Sequence, residues 1–145
     1  MQISDVLSRN VEVISPDSTI REAAQRMRSM DVGALPVCDG TRLLGMITDR
    51  DIACRAVADG WDTNHTPVRN AMTPDVEYVF EDDPIERAAQ VMQDRQVRRL
   101  PVVNREKRLV GILAQADLAR AGLDDLTGET VQQISDPTRQ PSEPQ

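Results

Sequence analysis

The spacing of apolar residues predicts strands and helices that alternate along this chain. Residues 11–14 and 76–79 are short runs with β-branched and aromatic side chains, which favour strands. Apolar residues then recur at the i, i+3, i+4 and i+7 spacing of an amphipathic helix. These positions are Ile20, Ala23, Ala24 and Met27, followed later in the chain by Ile85, Ala88, Ala89 and Met92. Ser18 or Thr19 can cap the first helix, and Pro84 suits the first turn of the second.

Each predicted helix is followed by two further strands and a final helix. The first pair of strands, Ala34–Cys38 and Leu43–Ile47, is joined by a turn at Asp39-Gly40. The second pair, Leu100–Val103 and Arg108–Leu113, is joined around residues 104–107. The final helices begin near Thr48 and Gln115. Both halves therefore have the order β-α-β-β-α.

The two halves are copies of one another. Leu35-Pro36-Val37 recurs as Leu100-Pro101-Val102 at an offset of 65, and Asp51 recurs as Asp117 at an offset of 66. One copy of about 60 residues buries its apolar faces poorly alone. We therefore expect an α/β (α+β) fold in which two copies pack through their sheets as one pseudo-symmetric module. The expected boundaries are residues 1–60 and 68–124 for the copies, 61–67 for a connector, and 125–145 for a C-terminal extension that is mostly disordered tail.

Composition and charge exclude several classes of partner. The formal net charge of −7 argues against nucleic acid and anionic membranes as partners. No apolar run approaches the roughly 20 residues of a membrane span, and the first residues lack a signal-peptide pattern. Cys38 and Cys54 lack CxxC spacing, and His65 is the only histidine. We expect free buried thiols in a reducing cytoplasm, with a disulfide or redox switch as the alternative.

The repeated motifs resemble those of the cystathionine-β-synthase (CBS) domain pair, or Bateman module. In the first copy they are Gly33-Ala34-Leu35-Pro36-Val37 and Gly45-Met46-Ile47-Thr48-Asp49-Arg50-Asp51. In the second copy they are Arg98-Arg99-Leu100-Pro101-Val102 and Gly111-Ile112-Leu113-Ala114-Gln115-Ala116-Asp117. The likeness covers residues 3 to about 122, and the order, duplication and spacing of the motifs make it specific.

The resemblance implies a nucleotide-binding cleft between the copies with two pseudo-equivalent sites. In the family pattern an Asp accepts hydrogen bonds from the ribose hydroxyls, and a Thr or Ser three residues earlier lies near the sugar or phosphate. Thr48 and Asp51 fit this pattern fully, whereas the second copy has Ala114 in place of Thr or Ser and keeps only Asp117. The second site is therefore expected to be weaker or tuned to another ligand.

The same matching assigns further residues to each site. The site of Asp51 would include Asp83, Ala88, Val97 and Arg98 of the second copy. The site of Asp117 would include Ser18, Ala23, Val32, Gly33 and Ala34 of the first copy. Arg98 and Arg99 stand where the first copy has Gly33-Ala34, and an arginine pair suits an anion clamp for phosphate. Arg99 could serve either site.

Each of these assignments has a structural alternative. Thr48-x-x-Asp51 is also the pattern of a helix N-cap with an acidic first turn. We favour the binding interpretation because Asp117 is kept although Ala114 cannot cap. Arg98 and Arg99 could instead be solvated or paired with the acidic chain. Asp49 and Asp51 could hold a metal ion, but no further ligands accompany them.

Three functions follow from these observations. The leading hypothesis is a non-catalytic regulatory module that requires no cofactor and senses AMP, ADP, ATP, NAD or S-adenosylmethionine. By resemblance, it is expected to be a cytoplasmic homodimer that acts on an unidentified protein target. The alternatives are a ligand-independent adaptor and a small phosphohydrolase that uses Asp49 and Asp51. The enzyme is disfavoured because the sequence lacks a P-loop, an activated nucleophile and a metal-binding set.

Overall fold

The chain divides into two compact units. The structure, a computed structural model, describes residues 1–9 and 11–122, so the predicted disordered extension at 125–145 lies outside the described residues. The first-copy unit is Glu12–Val76. The second-copy unit combines the residues up to Val11 with those from Glu77 onward.

The first-copy unit contains a three-stranded antiparallel sheet in the order β1-β2-β3. Its elements are α1 (Ile20–Met30), β1 (Ala34–Asp39), β2 (Arg42–Thr48), α2 (Asp49–Asp51), a π-helical continuation (Ile52–Val57), a 3-10 turn (Val68–Asn70) and β3 (Thr73–Pro74). The strand predicted at residues 11–14 is reduced to one parallel bridge between Ile14 and Val37. The apolar face of α1 packs with the inner sides of β1 and β2 in a core that includes Ile20, Ala23, Leu35, Val37 and Ile47.

The second-copy unit repeats this plan. Its elements are a 3-10 turn (Ile3–Asp5), β4 (Val79–Phe80), α3 (Ile85–Arg95), β5 (Arg99–Val103), β6 (Leu109–Ala114) and α4 (Gln115–Arg120). Strand β4 lies parallel to β5, and β6 lies antiparallel to β5. The predicted strand at 76–79 is therefore displaced by a few residues. The core includes Ile3, Ile85, Met92, Leu100 and Leu113, each at most 1% exposed.

Local chemistry sets the ends of the long helices. The Thr19 hydroxyl accepts a hydrogen bond from the Glu22 amide (3.1 Å), so Thr19 is the side-chain cap of α1. Pro84 precedes α3 at the N-cap position, one residue earlier than the sequence predicted. Each helix ends in a left-handed residue, Asp31 at φ 55° and Gln96 at φ 56°, which turns the chain into the following strand.

A short segment at the start of each copy completes the unit of the other copy. These lead-in segments are residues 1–9 and 66–74. The amide of Ile3 donates to the Asp83 carbonyl (3.0 Å), and the amide of Val68 donates to the Ser18 carbonyl (2.7 Å). Ile3 and Val68 are both fully buried. The sequence repeat and the folded units therefore have different boundaries, because the two lead-in segments are exchanged between the copies.

A glycine in each copy lets the lead-in segment of the other copy approach the sheet. A Cβ at Gly45 would overlap the Thr73 carbonyl oxygen, and a Cβ at Gly111 would overlap the Ser8 carbonyl oxygen. Neither backbone oxygen can move without breaking the adjacent pairing. The glycine of each repeated motif thus has a structural role that is separate from ligand binding.

The exchange of lead-in segments predicts that the N-terminus stabilises the second-copy unit. Ile3→Ala removes a fully buried side chain from that core, so we expect a loss of about 2–5 kcal/mol in the free energy of unfolding. Met1→Ala is the control, because Met1 is 65% exposed. Urea denaturation followed by circular dichroism measures both. Equal stability of Ile3→Ala and the parent would contradict the exchange.

Candidate functional site

The turn from β2 into α2 holds Thr48 and Asp51 in a reciprocal cap. The Asp51 amide donates to Thr48 Oγ1 (3.0 Å), and the Thr48 amide donates to Asp51 Oδ2 (3.0 Å). Both residues are buried, at 9% and 5% exposure. The spacing T-x-x-D is that of a capping box with Asp in place of Glu, which satisfies two otherwise unpaired amides. The cap fixes the orientation of the Asp51 carboxylate.

The capping box uses only one oxygen of the Asp51 carboxylate, Oδ2. Within residues 1–9 and 11–122, Asp51 Oδ1 accepts no hydrogen bond and joins no ion pair. A carboxylate oxygen accepts from hydroxyl or amide donors but cannot donate. Asp51 can therefore accept hydrogen bonds from a ligand without giving up its structural role.

The start of β1 lies beside this turn. Ala34 pairs with Thr48 in the sheet, and the Asp49 amide donates to the Gly33 carbonyl (2.9 Å). A Cβ at Gly33 would lie 2.9 Å from Asp49 Oδ2, so a glycine leaves room for that carboxylate. The first-copy unit thus brings Gly33, Ala34, Thr48 and Asp51 together at one end of its sheet.

The second-copy unit has the same arrangement with different side chains. Arg99 pairs with Ala114, and the Gln115 amide donates to the Arg98 carbonyl (2.9 Å). Arg98 and Arg99 are exposed, and neither forms an ion pair or side-chain hydrogen bond within the part of the chain that the structure describes. The sequence analysis gave two alternatives to the anion clamp. Pairing of Arg98 or Arg99 with an acidic side chain does not occur among the described residues, whereas exposure to solvent agrees with the other alternative.

Asp117 has both carboxylate oxygens occupied. Oδ2 accepts from the Ala114 amide (2.7 Å), and Oδ1 pairs with the Arg120 guanidinium. The missing hydroxyl at Ala114 does not show that Asp117 is kept for binding, because half of the capping box needs only the backbone amide of Ala114. Asp117 has a structural role even though Ala114 has no hydroxyl.

The remaining predicted residues lie at different depths. Ala23 and Ala88 are fully buried in their own cores, so neither side chain offers surface to a ligand in this conformation. Val97 is 7% exposed, and Val32 is partly buried against its core. Two equivalent residues precede the long helices: Ser18 is partly buried, and the Asp83 carboxylate accepts from the Phe80 amide (3.0 Å).

Sequence reasoning missed Arg120. This residue lies one helical turn after Asp117, at the spacing where side chains on one helix face meet. The equivalent position in the first copy is Cys54, at the same offset of 66. Comparing the two copies beyond the T-x-x-D motif would have revealed this difference.

The two thiols have different environments. Cys38 is buried in the first-copy unit, and burial raises the pKa of its thiol to about 11. Cys54 is free but exposed, so the prediction of two buried thiols is wrong for Cys54. Among the described residues, no group of three or more His, Cys, Asp or Glu side chains could hold a metal ion. No helix in the same part of the chain is long and apolar enough to cross a membrane.

Comparison with known families agrees with the repeated fold and its motifs. The family model of the CBS domain matches residues 3–56 and 68–124. The chain belongs to the CBS domain family. The predicted resemblance to CBS domain pairs and the predicted α/β (α+β) fold class are thus confirmed. Hypoxic response protein 1 of Mycobacterium tuberculosis is 42% identical over 117 residues, which cover 80% of this chain and 81% of that protein. The CBS domain-containing protein YhcV of Bacillus subtilis is 43% identical, with 81% and 82% covered.

Solved CBS structures share this fold. The structure of Hypoxic Response Protein I with two coordinated zinc ions has a TM-score of 0.75 at 40% identity and covers 83% of this chain and 98% of that one. CBSX2 in complex with AMP has a TM-score of 0.73 at 26% identity, with 86% and 97% covered. The CBS domain pair of MJ0100, in complex with 5′-methylthioadenosine and S-adenosylmethionine, has a TM-score of 0.70 at 29% identity, with 86% and 98% covered.

The reciprocal cap in this CBS protein predicts a modest stability effect at Thr48. Thr48→Ala leaves the Asp51 amide without its acceptor, so we expect a loss of about 1 kcal/mol in the free energy of unfolding. Thr48→Ser keeps the hydroxyl and is the matched control. Chemical denaturation compares the two variants. An equal loss in both would attribute the effect to the methyl group and not to the cap.

Proposed function

We propose that this CBS pair is a non-catalytic regulatory module that binds an adenine nucleotide or another adenosyl ligand, with Asp51 holding the ribose. This proposal is supported by the Asp51 carboxylate, only one oxygen of which has a partner among the described residues. Its Oδ2 is fixed by the Thr48 amide, whereas its Oδ1 has no partner among the described residues.

Ribose suits this carboxylate because the sugar offers two adjacent hydroxyl donors. A hydrogen bond between a hydroxyl and a charged carboxylate contributes on the order of 1.5–3 kcal/mol. The cap holds Asp51 in place before the ligand arrives, so little side-chain entropy is lost on binding. Thr48 uses its hydroxyl as an acceptor in the cap, and that hydroxyl also remains a donor for a ligand oxygen.

The ligands of the structural relatives support the adenosyl class. AMP in CBSX2, and 5′-methylthioadenosine and S-adenosylmethionine in MJ0100, all contain adenine joined to ribose. What they share is therefore the part that Asp51 would grip. A chain with 2% aromatic residues would hold adenine through apolar side chains and backbone groups. AMP, ADP, ATP, NAD and S-adenosylmethionine remain the candidates.

Arg98 and Arg99 are the proposed phosphate-binding residues. Their exposure and their lack of ion pairs within the described residues support this role, because a ligand anion would meet no competing carboxylate. A ligand with phosphate should then bind more tightly than adenosine alone. Asp83 and Val97 stay predicted members of the same site.

A phosphohydrolase that uses Asp49 and Asp51 receives less support. Asp51 Oδ2 already caps the Thr48 amide, which leaves one oxygen for a metal ion or a nucleophilic role. Asp49 is exposed, and no third metal-binding side chain accompanies the pair in the described residues. We therefore propose a binding role without turnover.

The proposed ribose grip predicts selective loss of binding in Asp51→Asn. The substituted side chain keeps an oxygen for the Thr48 amide but loses the negative charge, so the fold should remain and affinity should fall about 10- to 100-fold. Asp49→Asn makes the same charge change at an exposed neighbour and should bind like the parent. Isothermal titration calorimetry with AMP, ADP, ATP, NAD and S-adenosylmethionine measures this.

Three outcomes of that titration would count against the proposed site, its ligand class or the absence of catalysis. Parent-like binding by Asp51→Asn would remove Asp51 from the site. No detectable binding of any of the five ligands by the parent protein would favour the ligand-independent adaptor. Product formation during the titration would favour the enzyme.

We further propose that the module acts as a cytoplasmic homodimer on a protein target. The support for a dimer is the resemblance to CBS domain pairs, whose members of this form usually assemble as homodimers. Size-exclusion chromatography with light scattering should therefore give about twice the chain mass of 16.1 kDa. A mass equal to one chain would contradict the dimer.

A further inference from the structure

Asp117 is the only one of the two motif aspartates whose carboxylate is fully occupied within the described residues. Oδ2 accepts from the Ala114 amide and Oδ1 pairs with Arg120. The Asp117 side chain is 6% exposed, whereas the Arg120 side chain is 70% exposed. The guanidinium thus extends from solvent onto a carboxylate that, with Arg120 in place, has little contact with water.

The first copy lacks this contact because the equivalent residue is Cys54. A thiol is a weak donor and carries no positive charge at neutral pH, so it cannot replace a guanidinium. Asp51 Oδ1 consequently stays without a partner among the described residues. The two copies share the Asp and its backbone cap, and they differ in whether the second oxygen is available.

We propose that Arg120 closes the ribose position of the second copy, so that the chain binds one adenosyl ligand, at Asp51. This inference rests on the proposed function of the Asp51 site. It assigns to Arg120 the selection between the two copies, and it does not make Arg120 a ligand-binding residue.

The competition favours Arg120 over a ribose. The Arg120 guanidinium is a charged donor to the Asp117 carboxylate, and a bond from a charged donor is stronger than one from a neutral donor. Ribose hydroxyls are neutral, so a ligand that displaced Arg120 would exchange an ion pair for neutral donors. Arg120 is also tethered one helical turn away, so its contact with Asp117 does not carry the translational entropy cost of binding a free ligand. The missing hydroxyl at Ala114 further weakens the sugar's position.

Reciprocal substitutions test the proposal by calorimetric stoichiometry. Arg120→Ala should free Asp117 Oδ1 and raise the number of AMP or ATP molecules bound per chain from one to two, with the new site strengthened about tenfold or more. Cys54→Arg places the guanidinium one turn after Asp51 and should weaken the first site by a similar factor. Cys54 is exposed, so the larger side chain can be accommodated.

Further variants separate the closing role of Arg120 from general charge effects. Arg42→Ala removes one positive charge at the opposite end of β2 from Thr48 and should leave both affinity and stoichiometry unchanged. Arg120→Met keeps the aliphatic stem without the charge and should open the second site as Arg120→Ala does. Adding Asp117→Asn to Arg120→Met should close it again.

The outcomes distinguish this inference from the proposed function. Two equivalent sites in the parent protein, or one site in both folded Arg120 variants, would overturn the closing role of Arg120. Weaker binding by Arg120→Met would overturn it as well, by making Arg120 a ligand-binding cation. Absence of binding by the parent and every variant would instead reject the nucleotide-sensing function itself.

Discussion

The hydrogen bond from a backbone amide to an aspartate three residues later is the interaction on which both candidate sites depend. It links the last residue of a sheet strand to the first turn of a helix, at Thr48 in one unit and at Ala114 in the other. The bond satisfies an amide that the helix leaves unpaired, and it holds the carboxylate in a single orientation. Folding therefore uses one oxygen of this side chain, and the proposed binding of a ligand would use the other. In Asp51 the second oxygen is available for a ligand, and in Asp117 it is paired with Arg120.

The sequence predicted the order of elements well because the signals are local. Helical spacing located α1 and α3, and the turn at Asp39-Gly40 separated β1 from β2. The strand at 11–14 was predicted from β-branched composition alone. Composition does not reveal the partner, and only Ile14 pairs with the sheet. Features that depend on contacts distant in sequence were not predictable in the same way. The repeat placed each lead-in segment with the copy that follows it, whereas the fold places it with the other copy. No property of Ile3 or Val68 indicates which core it enters, because both are ordinary apolar residues.

The sequence named the candidate residues, and which of them share a site stays a prediction. Gly33 and Ala34, which the resemblance assigns to the Asp117 site, lie with Thr48 and Asp51 at one end of a sheet, because β1 and β2 are neighbours and their register pairs Ala34 with Thr48. Ala23 and Ala88 follow the helical spacing that made them both core residues and site candidates, and the structure buries them. The exposure of Cys54 depends on its helix face in the folded unit, and the π-helical winding of residues 52–57 shifts that face. The contact between Arg120 and Asp117 was not predictable from the sequence, since only the structure shows which carboxylate oxygen a nearby guanidinium contacts.

The exchanged lead-in segments give the chain a fixed order of assembly during its synthesis. The first-copy unit has all of its parts once Val76 has left the ribosome. Ile3 is made before the first-copy unit, yet its core partners range from Val79 to Leu118. The N-terminal segment must therefore stay without its core until nearly the whole described chain has been made. Contacts of such long sequence separation form slowly, so the second-copy unit is the part whose folding would most depend on protection of the nascent chain.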